Sequence, residues 1–218
     1  MKKIIITQRS EFISSCNEYR DSLDKAFVDL LGDTFHLIPI PSKTPNVELF
    51  CRDINCDGII LTGGNSVIPT NSDYCGYRHS MEQKLLGYSV KNDLPVVGIC
   101  HGLQVINSYL GGDLKKLKGH VNKNHHINYE GLTFEVNSFH NYGISEKNLG
   151  KDLMIIGTAH DGTIEMVIHK VLPWLGMMWH PERNIKGQEC WIKLIKSVLS
   201  KNIQFNENNI ISFIRENT

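Results

Sequence analysis

Short apolar runs alternate with longer amphipathic stretches along this chain. The runs at residues 3–7, 35–39, 58–62, 95–99, 154–159, 164–169 and 175–178 are rich in Ile, Val, Leu and Met and have strand length, so they predict buried strands. Residues 18–31, 78–91, 102–110 and 187–200 predict helices; in the first, Leu23, Phe27, Leu30 and Leu31 recur at helical spacing. Strands separated by helices imply crossover connections, and so an α/β fold: a mainly parallel sheet flanked by helices on both faces. Residues 114–142 are polar and His-rich, and the alternation over 132–136 predicts a few antiparallel strands added at one end of the sheet. Ile210, Ile211, Phe213 and Ile214 in a polar background predict a short final helix.

Composition narrows the function. The 218 residues suffice for one core, and the absence of repeats or a Gly/Ser or Pro-rich linker predicts a single domain over 1–218. With 23 basic and 23 acidic residues the charge balances, so neither nucleic acid nor anionic lipid is an expected partner. After Lys2 and Lys3 only four residues precede Gln8 and Arg9, too few for a signal-peptide core. The six cysteines form no CxxC, so a reduced cytosolic protein is expected.

The most informative stretch runs from Pro95 to Gln104, where a buried strand leads through Gly98-Ile99-Cys100-His101-Gly102 into a helix. A nucleophile at such a turn is pushed above the sheet, and the glycines avoid clashes there. The positive N-terminal end of the helix favours thiolate, the reactive form of cysteine. A cysteine nucleophile needs a base, and the base needs an orienting group. His180 and Glu182 follow the last apolar run at its C-terminal end, the edge of a parallel sheet where sites form. Upstream, the run 58–62 ends in Gly63-Gly64, whose uncovered backbone could approach a ligand. The N–H groups of Gly64 and His101 are candidate donors to an oxyanion.

Together these motifs resemble the class I glutamine amidotransferases, over nearly the whole chain. Gly98-Ile99-Cys100-His101-Gly102-Leu103-Gln104 matches the family's nucleophile motif and Trp179-His180-Pro181-Glu182 its closing motif. The resemblance implies Cys100 as nucleophile, His180 as general base and acid, and Glu182 as the orienting carboxylate. It also implies glutamyl contacts from Gln104, from Asn65 after the glycine pair, and from the Ser138, Phe139 and His140 stretch.

Within that family the chain is most similar to stand-alone γ-glutamyl hydrolases of the peptidase C26 branch. Arg20 in Tyr19-Arg20-Asp21-Ser22-Leu23-Asp24, placed in the first helix, and Arg78 with Glu82 resemble that branch's motifs, and Arg20 and Arg78 are expected to bind substrate. A related branch acts on γ-glutamyl-CDP-amidate in capsule phosphoramidate synthesis. His101 and Asn141 depart from the Arg and Gln usual in the hydrolases, which bears on the leaving group. The alternative is a glutaminase subunit feeding ammonia to a separate synthase. A small γ-glutamyl compound is the expected partner, with no organic cofactor and no metal. His120, His125, His126 and His140 lack tetrahedral ligand spacing and are expected to line the rim or sit in solvent. The basic stretch 115–121 is expected to be a solvated loop or to meet the phosphates of a nucleotide-linked substrate.

Overall fold

A computed structural model describes residues 1–183 and 189–217. In chain order the elements are β1 (Lys2–Ile6), β2 (Arg9–Ile13), β3 (Glu18–Ser22), α1 (Ala26–Leu31), β4 (Phe35–Pro39), α2 (Val47–Asp53), β5 (Gly58–Leu61), α3 (Gly76–Asn92), β6 (Val96–Ile99) and α4 (His101–Tyr109). They continue with β7 (Lys115–Lys116), β8 (Val121–Tyr129), β9 (Leu132–Phe139), β10 (Tyr142–Gly143), β11 (Leu153–Ala159), β12 (Ile164–His169), β13 (Trp174–Met177), α5 (Glu189–Ser200) and α6 (Glu207–Asn217).

Nine strands form one sheet in the order β4-β1-β5-β6-β13-β12-β11-β8-β9. The pairings from β4 through β13 are parallel, and those from β13 onward to β9 are antiparallel, as the change in sequence character predicts. Side chains of one strand point alternately to opposite faces, so Ile4 and Ile6 pack with α1, α5 and α6 while Ile5 packs with α2, α3 and α4. Both faces are covered, which is why the parallel strands read as unbroken apolar runs. Each fully buried Ile or Leu contributes roughly 1.5–3 kcal/mol. No described helix is long and apolar enough to cross a membrane.

The helix expected over 18–31 is corrected. Only Ala26–Leu31 is helical, started by Asp24 Oδ1 accepting from the Ala26 N–H, and Glu18–Ser22 pairs with Arg9–Ile13 as an antiparallel hairpin. The segment 18–22 has no apolar face to bury as a helix, whereas the extended pair satisfies its backbone groups along the ladder. The seven-residue α2, capped by Asn46 Oδ1 accepting from the Leu49 N–H, was not anticipated. The helix expected over 187–200 runs over Glu189–Ser200, and its expected start, Gly187, lies outside the described residues. None of the six cysteines is bridged.

Candidate active site at the carboxyl edge of the sheet

Cys100 stands between β6 and α4 with φ 50° and ψ −100°, a conformation that L residues rarely adopt. Its N–H donates to Met177 O at 2.7 Å and its carbonyl accepts from the Gln104 N–H at 3.1 Å, so sheet and helix together hold the strained residue. A side chain at position 102 would run into the Leu61 carbonyl, so glycine there lets the first turn of α4 descend onto β5. The positive end of α4 therefore begins directly at the sulfur.

His180 follows β13 on the same edge. Its Nδ1 lies 2.6 Å from Glu182 Oε1, leaving Nε2 as the ring nitrogen for the cleft. Asn137 of β9 pins its backbone from both sides: Oδ1 accepts from the His180 N–H at 2.8 Å, and Nδ2 donates to the His180 carbonyl at 2.7 Å. The ring presses on Gly63 so closely that any side chain there would displace it. Burial alone would lower the imidazole pKa, but the Cys100 sulfur and the Glu182 carboxylate outweigh it and push the ring up to about 9.

The Gly63-Gly64 loop is held from behind by Arg78, which is fully buried on α3. Its guanidinium donates to the carbonyls of Thr62, Gly63 and Gly64, to Asn65 Oδ1, and to Glu82 Oε1 at 2.8 Å. In a trans peptide C=O and N–H point opposite ways, so turning the Gly63 carbonyl to Arg78 sends the Gly64 N–H to the other side of the loop. Glu82 also lies 2.8 Å from His101 Nε2, while His101 Nδ1 faces the Asn65 carbonyl at 3.1 Å. Against the upward push of burial, Arg78 and His101 hold the Glu82 carboxyl down at about 2, so it is ionised throughout the working range. Arg78 thus shapes the loop instead of reaching substrate, and it corrects the expectation of a substrate contact.

A cleft of about 320 Å³ is lined by Cys100, His180, Gly64, Asn65, His101 and Gln104, together with Phe139 and His140. Arg183 stacks over the Phe139 ring at 4.3 Å, and that ring meets His180 edge-on at 5.8 Å. Gln104 Nε2 donates to the Tyr142 carbonyl, and the Asn65 amide is committed to Ser10, Arg78 and Asp73. Ser138 is fully buried with its hydroxyl on the His120 carbonyl, so its side chain fastens the base of the β8–β9 hairpin and stays out of the cleft. Arg20 is corrected outright: it is exposed on β3, paired with Glu18, and outside the cleft lining. In the motif around it, Asp21 Oδ2 accepts from the Ser42 N–H and anchors the hairpin. The lysines of 115–121 do not line the cleft; its cations are Arg9 and Arg183. His126 is exposed as expected, but His120 and His140 are buried and His125 nearly so, facing Glu165 of β12. Burial, and next the neighbouring His120, push His140 down to about 3.

No site role for Asn137 or Arg183 is read from the sequence, and Glu82 stands there only as Arg78's companion in a motif. Glu82 was within reach, lying four residues after Arg78 on one predicted helix, the spacing of an ion pair.

Comparison with known proteins bears on family and fold. The chain is 33% identical to the gamma-glutamyl-CDP-amidate hydrolase of Campylobacter jejuni, over 88% of this chain and 98% of that one. It is 34% identical to the carbamoyl phosphate synthase pyrimidine-specific small chain of Halalkalibacterium halodurans, over 78% of this chain but 47% of that one. The crystal structure of a putative GMP synthase component from Thermoplasma acidophilum superposes with TM-score 0.70 at 18% identity, over 93% of this chain and 96% of that chain; the likeness is one of fold. The Peptidase C26 family model matches residues 16–182, a span that takes in both Cys100 and Glu182, and the chain belongs to that family.

Proposed function

We propose that this protein is a cysteine-dependent hydrolase of γ-glutamyl amides, with γ-glutamyl-CDP-amidate as the favoured substrate class. The observation that carries the reading is one cleft holding a cysteine in a strained strand-to-helix turn and a histidine bonded at 2.6 Å to a carboxylate. The Cys100 thiolate attacks the γ-carbonyl carbon, and the backbone N–H groups of Gly64 and His101 receive the oxyanion, each worth roughly 3 kcal/mol. The His180 imidazolium protonates the departing nitrogen as the C–N bond breaks, leaving a γ-glutamyl thioester on Cys100. His180, now neutral, takes a proton from water, whose oxygen attacks the thioester; glutamate leaves and the thiolate is restored.

The proton on His180 sets a pH limit. The imidazolium is present below about pH 9 and lost above it, so kcat/KM is expected to fall as pH rises through about 9. Glu182→Gln removes a negative charge that raises this pKa, so the alkaline limb should move to lower pH. A pH–rate profile of the two proteins checks this; an unmoved limb would show that His180 is not the group titrating.

The leaving group has room of matching chemistry. A neighbouring bay of about 1040 Å³, sharing Arg9, Asn65 and Asp73 with the cleft, is lined by Phe12, Tyr19, Lys43 and Tyr77. Lys43 Nζ sits 4.4 Å above the Tyr77 ring. Aromatic faces suit a base and the cations suit phosphates. The relative from Campylobacter supports this choice. Glutamate release should therefore be measured on γ-glutamyl-CDP-amidate, γ-glutamyl amines and glutamine, without a second protein. Tyr77→Ala is expected to raise KM about tenfold for the nucleotide conjugate and to leave glutamine turnover unchanged. Silence on every conjugate, with glutamine consumed only once a synthase is added, would favour the glutaminase subunit.

A further inference from the structure

The antiparallel end of the sheet gathers three imidazoles and one carboxylate from segments far apart in sequence. His120 precedes β8, His125 lies on it, His140 follows β9, and Glu165 comes from β12. One ligand-type atom from each lies within 4.8 Å of all the others. We propose that these four residues form a zinc-class metal site that ties the open end of the β8–β9 hairpin, and with it the Phe139 to Tyr142 side of the cleft, to β12.

His120 Nδ1, His125 Nε2, His140 Nε2 and both Glu165 oxygens are buried without a hydrogen-bond partner. The side chains of Glu165, His140 and His120 are 0%, 1% and 5% exposed. Buried polar atoms are almost always satisfied, so five on one centre demand a partner. From the Glu165 oxygens, His125 Nε2 lies at 3.4 Å, His140 Nε2 at 3.5 Å and His120 Nδ1 at 3.7 Å. These separations are long for hydrogen bonds but match the edge of a tetrahedron, about 3.4 Å, whose ligands stand about 2.1 Å from a central zinc.

A ligating histidine usually donates its other ring N–H to a carboxylate or carbonyl, which fixes the lone pair toward the metal. His120 Nε2 lies 2.9 Å from Asp161 Oδ2, and His140 Nδ1 lies 3.0 Å from the Tyr142 carbonyl. Both rings are thus turned with the correct nitrogen inward. Imidazole and carboxylate together suit zinc and its transition-metal neighbours over calcium or magnesium. Four protein ligands close the shell, so the ion is structural and takes no part in the hydrolysis.

The site stands independently of the hydrolase reading, and its test reads metal, not turnover. The full-length protein is stripped with chelator and refilled with zinc or cobalt(II). Cys100→Ser is carried alongside, to remove the thiol–imidazole pair as a competing seat. The expected result is about one equivalent of zinc in both proteins, a melting temperature raised by about 10 °C at saturation, and the visible absorption of four-coordinate cobalt. His125→Ala and Glu165→Gln should lose the metal, and His126→Ala, at the exposed neighbour, should keep it. The cobalt spectrum of the unmutated protein stands even where a variant fails to fold. Zinc lost in Cys100→Ser, or less than about a tenth of an equivalent with no thermal shift, overturns the proposal.

Discussion

Cys100→Ala is expected to lower glutamate release by about 10⁵-fold while leaving the melting temperature within a few degrees of the parent. The large loss follows because no other described thiol shares the cleft with His180. Removing the sulfur removes the atom that carries the glutamyl group, and the oxyanion donors alone retain only a residual advantage over water. The small change in stability follows from position. Cys100 is held by backbone bonds to Met177 and Gln104, which alanine keeps. Glutamate release and thermal melting on one preparation separate the two effects. Activity within tenfold of the parent would rule out the nucleophile assigned here.

Arg78→Ala is expected to damage both activity and stability. Breaking a buried pair strands the Glu82 charge, which costs roughly 3–5 kcal/mol, and in a chain of this length lowers the melting temperature by about 10 °C. Three carbonyls of the 62–64 loop lose their donor as well, so the Gly64 N–H is no longer held opposite Arg78, and turnover should fall about 10²- to 10³-fold. Arg78→Lys should recover little, because one ammonium cannot reproduce a fork spanning that many acceptors. A KM for glutamine that rises with kcat unchanged would mean that Arg78 grips substrate after all.

Most of the sheet was legible because its parallel strands are buried on both faces and so appear as apolar runs. The placement of Cys100, His180 and Glu182 on one edge followed from the same runs, each motif standing at a strand's C-terminal end. The β2–β3 hairpin was not legible. Its alternation is weak, Phe12 and Tyr19 pair at the exposed surface, and the nearby apolar residues of α1 drew the helix expectation across it. The inward turn of His120, His125 and His140 was hidden for another reason. Hairpin closure and a strand from elsewhere in the chain bring them to Glu165, and no local spacing records that meeting. The Arg20 expectation rested on motif resemblance alone, whereas the structure uses the adjacent Asp21 and Asp24 as anchor and helix start.

The most direct test of covalent catalysis is a rapid acid quench of the protein with saturating γ-glutamyl substrate, followed by intact-mass and peptide analysis. A transient gain of one γ-glutamyl group mapped to Cys100, and absent in Cys100→Ala, is the expected result. Turnover at full rate with no acyl group ever found on Cys100 would contradict it.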